Sequence, residues 1–340
     1  MPTSVPHAPR RYRTVLKPYG RALVELAAHR PEIVCLTGDL TRQCEIDLFQ
    51  EAYPERFIHA GMAEANMMGI AGALARRGHI PFVHTFGVFA TRRPLDQIVN
   101  AVAYPDLPVR IVGFMPGVSS PGGPSHQAIE DVALMRAVPN MTVVDVADAV
   151  EIAKALPAIV DVSGPVYLRL KRGEIPVIFD EDHEFDLDRA QSLREGADVA
   201  ILASGMMVSA ALAAADVLAA AGVEAAVVNV PVVKPIDRRT IADTARRVRA
   251  VVTAENHTIV GGLGSAVAEV LAEEGLGVRL RRVGLQDTFA EGARSAPPLF
   301  AKYGLSTQHL VETCWAVLDR PEPAPAAAAA DVADGEYAPV

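Results

Sequence analysis

GMAEANMMGIAGALARRGHIPFVHTF, residues 61–86, sets a helical pattern directly before a strand. From Met62 to Ala75 nearly every residue is apolar or small, the mark of a helix wrapped by protein on all sides. Gly69 and Gly72 lie about one helical turn apart and would let another helix approach closely. PFVHTF (81–86) then reads as a strand, because it is short, largely apolar and rich in β-formers. The same alternation extends in both directions. Strand-like runs recur at IVCLTGD (33–39), VRIVGFM (109–115), MTVVDVA (141–147) and PVYLRL (165–170), with helical patterns near 43–52, 63–77, 94–104, 127–137 and 149–162. Nearly continuous apolar strands separated by helices predict an α/β fold, a parallel sheet with helices on both faces.

A second alternation follows at DVAILASG (198–205), EAAVVNVP (224–231), RAVVTAEN (249–256) and GVRLRRVGL (277–285). The expected organisation is a flexible N-terminus (1–14), a larger α/β domain (15–172), an acidic linker (173–196), a smaller α/β domain (197–320) and a disordered tail (321–340). The net charge of −9 is concentrated in two places. Between Arg172 and Arg189 there are seven Asp or Glu residues and no Lys or Arg, and no Lys or Arg follows Arg320. The remaining body is near neutral, which argues against a nucleic-acid partner. Three cysteines without metal-ligand spacing read as reduced cytosolic thiols. The basic N-terminal residues precede no apolar stretch, and the Ala-rich run 206–222 is interrupted by Asp216. No secretory signal or membrane span is expected, and a cytoplasmic location follows. GGLGSAV (261–267) opens a helix but lacks the spacing of a dinucleotide loop, so a close-packed helix start is the better reading.

Glu64 lies in the first turn of the apolar helix. A glutamate there can face water and complement the helix dipole, or be buried, which demands a partner or a function. Its surroundings favour the second, because GMAEANMMGIAGALARRG resembles the transketolase family. The resemblance implies that Glu64 hydrogen-bonds N1′ of the aminopyrimidine of thiamine diphosphate. That cofactor reacts through a carbanion on its thiazolium, and a carboxyl sharing a proton with N1′ favours the tautomer that generates it.

The likeness continues in register. VHTFGVFATRRPLDQI (83–98) is similar to the family's next segment, implying that Phe86 and Phe89 wall the aminopyrimidine and that Arg92 binds cofactor, where deoxyxylulose-phosphate synthases carry an Arg. PGGPSHQAIEDVALMRAVPNMTVV (121–144) resembles the loop whose His points at the reacting sugar, which assigns His126 to proton transfer or substrate binding and puts Ser125 beside it. TGDLTR (37–42) resembles the turn that sets Asp39 and Leu40 near the cofactor, at the strand ends where parallel sheets bind ligands. Arg172 and Lys17 match positions on the phosphate side of the substrate. Phe114, Gln43 and Gly122 stand where sugar-phosphate enzymes carry His, Ser and Asp, which implies a modified sugar. The likeness runs over about residues 15–318 and omits the family's diphosphate-binding G-D-G…N-N motif.

The resemblance therefore implies the pyrimidine-binding subunit of a two-chain transketolase, moving a two-carbon ketol unit between a ketose and an aldose. An α (A) subunit would bring the diphosphate-binding domain and the Mg²⁺ ligands, with no metal ligands expected here. An α2β2 assembly with self-association of this chain is expected. The alternatives are the β subunit of a 2-oxo acid dehydrogenase, which shares Asp96-Gln97, and a non-catalytic regulatory subunit, against which Glu64 speaks.

Overall fold

The computed structural model describes residues 10–327. Fourteen strands are present among them: β1 (Thr14–Leu16), β2 (Ile33–Thr37), β3 (Phe57–His59), β4 (Ile80–Phe86), β5 (Arg110–Phe114), β6 (Thr142–Asp145), β7 (Val166–Leu170), β8 (Glu174–Pro176), β9 (Gln191–Arg194), β10 (Val199–Ala203), β11 (Ala225–Asn229), β12 (Val232–Lys234), β13 (Ala250–Thr258) and β14 (Arg279–Leu285). Every strand expected from the apolar runs is there. The shorter β1, β3, β8, β9 and β12 carry too few apolar residues to stand out in a sequence.

Seven strands form the first sheet in the order β12-β6-β7-β5-β4-β2-β3. All its pairings are parallel except that of β12 with β6. Successive residues of β2 face opposite cores. Val34 and Leu36 pack with the 64–75 helix through Met67, Met68 and Ala71, whereas Ile33 and Cys35 pack with Tyr19, Leu23 and Ile152 on the other side. This two-sided burial explains the continuous apolar runs. The second sheet has the order β14-β13-β10-β11-β9, parallel apart from β9.

The segment 173–196 is more than a spacer. β8 pairs with β1, and β9 closes one edge of the second sheet. Asp148 holds its path by accepting from the N–H groups of Ile178 and Phe179 at 2.7 and 2.8 Å. Within the N-terminal segment 1–14, Arg10 pairs with Asp216 at 2.5 Å and Thr14 opens β1; residues 1–9 lie outside the described residues. Residues 321–327 of the tail are tied down by Trp315 Nε1, which donates to the Glu322 carbonyl, and by the Ala327 N–H, which donates to Gln308. Residues 328–340 lie outside the described residues.

The helix Glu64–Ala75 is not enclosed on all sides within this chain. Met62, Ala65, Asn66 and Ala73 are exposed. Its inner side is tight: a Cβ on Gly72 would sit 2.5 Å from the Ala101 carbonyl oxygen, so only glycine admits the neighbouring helical turn Ile98–Ala103. Gly69 meets no such neighbour.

The two domains are riveted by buried charge. Arg169, at 1% exposure, donates to Asp131 at 2.7 and 3.0 Å, to Asp145 at 2.9 Å and to the Asn256 carbonyl at 3.0 Å. Tyr167 donates to Asp131 and Ser204 to Asp145. Burial works most strongly to raise the pKa of Asp131, but the charges facing it, Arg169 foremost, and the hydrogen bonds from Arg169 and Tyr167 together hold the carboxyl below its usual range. Removing the cation strands two buried acids, which costs about 3–5 kcal/mol. Arg169→Met is therefore expected to lower the thermal midpoint by several degrees in calorimetry. A midpoint within a degree of the parent protein would show that the rivet contributes little.

Candidate cofactor and substrate site

Five of the residues singled out by sequence, Glu64, Phe86, Phe89, Ser125 and His126, come together beyond the C-terminal end of β4. Glu64 opens its helix and is 4% exposed. Its Oε1 accepts from Arg93 Nη1 at 2.6 Å. The Arg93 guanidinium also lies over the Phe89 ring, with Cζ 3.9 Å from the centroid. Phe89 stacks on Phe86 with centroids 6.0 Å apart, and its other neighbour is His126, edge-on at 5.3 Å. Ser125 Oγ is 2.9 Å from His126 Nδ1. A carboxyl, a cation, two aromatic faces and an imidazole thus form one continuous chain of contacts.

Phe86 reaches this position because β4 ends there and the helix Gly87–Thr91 begins at once. That helix ends at Thr91; Arg92 caps it and Arg93 follows in the turn beyond. The two guanidiniums part there, that of Arg93 reaching Glu64 and that of Arg92 reaching Glu130. Arg92, expected in the cofactor pocket, faces the His126 loop. It pairs with Glu130 and donates to the carbonyls of Pro124 at 3.0 Å and Gln127 at 3.2 Å. Arg93 takes the place beside Glu64, and sequence reasoning missed it. The doubled Arg in FATRRPLDQ was the available signal, but which of the two faces Glu64 depends on the turn that follows the helix.

The second domain holds the same loop from the opposite side. Gln127 Nε2 donates to the Glu291 carbonyl at 3.0 Å, the Ala293 N–H donates to the Pro121 carbonyl at 2.9 Å, and Asn256 brackets Pro116 and Val118. His126 itself stays exposed above a loop fixed at both ends.

Other expected residues fall into separate groups. Asp39 has φ +69° and contacts His59 Nε2 at 3.1 Å, beside the connection that leads to Glu64. Its neighbour Leu40 donates its N–H to Thr37. Lys17 is engaged with Asp47 at 2.5 Å. Arg172, half-buried, lies near Cys44, whose thiol burial pushes well up against that nearby charge. No contact ties Lys17 or Arg172 to the Glu64–His126 chain among the described residues. Phe114 is a correction: it is wholly buried at the end of β5 and packs edge-on against Tyr19 at 5.6 Å. It is a core residue. Gly122 does lie at the site, since a Cβ there would stand 3.0 Å from His126 Cβ.

Two buried groups have structural roles. His84 Nδ1 donates to the Leu36 carbonyl, which leaves Nε2 to accept from Tyr19 at 2.7 Å. Burial lowers its pKa to about 3, so the ring is neutral. Glu255 accepts from the N–H groups of Leu263 and Gly264 at 2.7 and 2.8 Å. The GGLGS helix start is thereby filled by the protein's own carboxyl, and burial raises that group to about 7.

A two-domain α/β chain with a buried glutamate, stacked phenylalanines and a loop histidine at the strand ends is the architecture of a pyrimidine-binding domain joined to a C-terminal domain. Comparison agrees. The family description "Transketolase, pyrimidine binding domain" matches residues 12–177, and "Transketolase, C-terminal domain" matches residues 188–310. The chain belongs to the transketolase family, and it is built as the part of that family that carries these two domains. It is 44% identical over 303 residues to the 6-deoxy-6-sulfo-D-fructose transketolase subunit SqwH of Clostridium sp., covering 89% of this chain and 94% of that one. It is 44% identical over 297 residues to an uncharacterized transketolase family protein, y4mN, of Sinorhizobium fredii, covering 86% of each. A split-gene transketolase solved as an inactive β4 tetramer superposes with a TM-score of 0.82 at 43% identity, covering 92% of this chain and all of that one. The family implies thiamine diphosphate, and a buried carboxyl flanked by aromatic faces suits its aminopyrimidine half. Among the described residues no group of three or more His, Cys, Asp or Glu could hold a metal, and no helix is long and apolar enough to cross a membrane.

Arg92 acts on this site through the loop. Arg92→Met removes the pair with Glu130 and two carbonyl contacts, so amides of residues 123–128 should exchange with solvent on the order of 10-fold faster. Hydrogen-exchange mass spectrometry reads this directly. Unchanged protection of that peptide would mean the second domain alone holds the loop.

Proposed function

We propose that this chain is the pyrimidine-binding subunit of a two-chain transketolase that transfers a two-carbon ketol unit from a ketose to an aldose. The observation that carries the reading is Glu64, a carboxyl at 4% exposure whose partner Arg93 lies over the Phe89 ring, which in turn stacks on Phe86. When bound, thiamine diphosphate supplies the nucleophilic carbon for ketol transfer. Glu64 would hold a proton against N1′ of its aminopyrimidine, and Phe86 and Phe89 would orient the ring and exclude water. His126 would hydrogen-bond, or exchange protons with, the sugar hydroxyls from its exposed loop.

The diphosphate and Mg²⁺ ligands are assigned to an α subunit, and a second copy of this chain is expected within an α2β2 assembly. The exposed Met62 (77%), with Ala65, Asn66 and Ala73 of the Glu64 helix, supports an interface on that side. The β4 tetramer of the split-gene relative, inactive as solved, supports a need for the partner.

The name of the SqwH relative favours a sugar with an anionic sulfonate terminus, and Arg172 is the cation suited to it. Two outcomes follow. In the pair reconstituted from both chains, Glu64→Gln should lower turnover on the order of 100-fold or more while changing cofactor affinity much less, and this chain alone should turn nothing over. Near-parental turnover of that variant would sink the role of Glu64. With the same pair, Arg172→Met should reduce kcat/KM on the order of 10-fold for donors with a sulfonate or phosphate terminus and leave neutral-ended donors unaffected. Equal losses on both classes would remove Arg172 from the substrate site.

A further inference from the structure

Arg93 makes both of the contacts that the pyrimidine pocket offers a flat ring. Its planar guanidinium donates to Glu64 at 2.6 Å and lies 3.9 Å from the centroid of Phe89. These are the two interactions an aminopyrimidine needs there: a hydrogen bond to the carboxyl and an aromatic face. Guanidinium and aminopyrimidine are alike in the relevant respects, being flat, electron-poor and bearing N–H groups in the plane. The side chain is 50% exposed whereas its carboxylate partner is 4% exposed, so the cation can swing outward and the acid cannot follow.

We infer that Arg93 sets the affinity of the pyrimidine pocket by competing with the aminopyrimidine for Glu64 and Phe89, so that a ring enters only as Arg93 leaves. This rests on the reading of Glu64 as the ring's partner. The arrangement keeps a buried carboxylate paired, and it makes ligand entry an exchange of one flat partner for another, a proton shared between Glu64 and N1′ replacing the hydrogen bond from Arg93, instead of a fresh desolvation. Arg92 cannot take over, because its guanidinium is held by Glu130 and the loop carbonyls. The other cations assigned to the site, Lys17 and Arg172, make no contact with Glu64 among the described residues.

The test uses the full chain and a cofactor fragment, 4-amino-5-hydroxymethyl-2-methylpyrimidine, which needs neither metal nor diphosphate ligands. Titration calorimetry should find Arg93→Ala binding this fragment on the order of 10-fold more tightly than the parent. Arg93→Lys, which keeps a charge but loses the flat stack, should fall between them. Affinity in Arg93→Ala equal to or weaker than the parent's, at any level including none, overturns the inference.

The double variant Glu64→Gln, Arg93→Ala should bind several-fold more weakly than Arg93→Ala alone. If it does so while Arg93→Ala shows no gain, the reading of Glu64 stands and only the role of Arg93 fails. If it binds as tightly as Arg93→Ala, Glu64 is not the ring's partner and both fall. A second measurement does not depend on any variant folding. The side-chain Nε–H resonance of Arg93 in the parent chain should shift on saturation with the fragment, with the same dissociation constant as calorimetry, and a resonance that stays in place overturns the inference.

Discussion

A buried guanidinium has to be surrounded by acceptors, and that constraint at Arg169 organises the molecule. β7, an interior strand of the first sheet, carries it to where Asp131, Asp145 and the backbone of Asn256 converge on it. Each partner belongs to a different element. Asp131 starts the helix that follows the His126 loop, Asp145 ends β6, and Asn256 comes from β13 of the second domain. Satisfying one charge therefore sets the position of the loop and the docking of the two domains together. Burial and partner effects diverge across this network. Asp131 is held low by Arg169, whereas burial lifts Asp145 above its usual range in spite of the same cation. His257, pushed down by burial to about 4, stays neutral beside them.

The arginine–carboxylate pair at Glu64 is of another kind. Arg169 is enclosed and bidentate on Asp131, with hydroxyls and carbonyls completing the shell. Arg93 gives Glu64 one short hydrogen bond from a half-exposed side chain that otherwise rests on Phe89. The first pair has no room to change partners. The second can exchange its cation for another donor, which is what a binding site requires. The loop at His126 shows the same division: its ends are pinned by Arg92, Gln127 and the second domain, and its histidine is exposed, its ring meeting Ser125 and the edge of the Phe89 site.

Sequence reasoning went furthest where chemistry is local. The two-period burial of β2, β4, β5 and β7 leaves unbroken apolar runs, so those strands and the parallel sheet were legible. Glu64 was legible as a buried acid only through the family motif around it, since a glutamate in a first helical turn can as well face water, and the same resemblance singled out the loop of His126. Less was legible where a contact joins distant segments. β9 and β12 are short and gain their place by closing sheet edges, one of them in the other domain's sheet. Phe114 looked like a substrate position by alignment, yet its place on β5 turns it into the core against Tyr19.

What the sequence by itself determined was the α/β class and the two successive domains, because apolar periodicity is a property of neighbouring positions; the roles of Glu64, Phe86 and Phe89 came from the family resemblance and not from periodicity. Only the tertiary structure decided that Arg93 and not Arg92 meets Glu64, that Glu255 fills the glycine-rich helix start, and that the helix 64–75 keeps one face open. Each of these turns on the rotation of a helix or on the approach of residues far apart in the chain, and residue order carries neither.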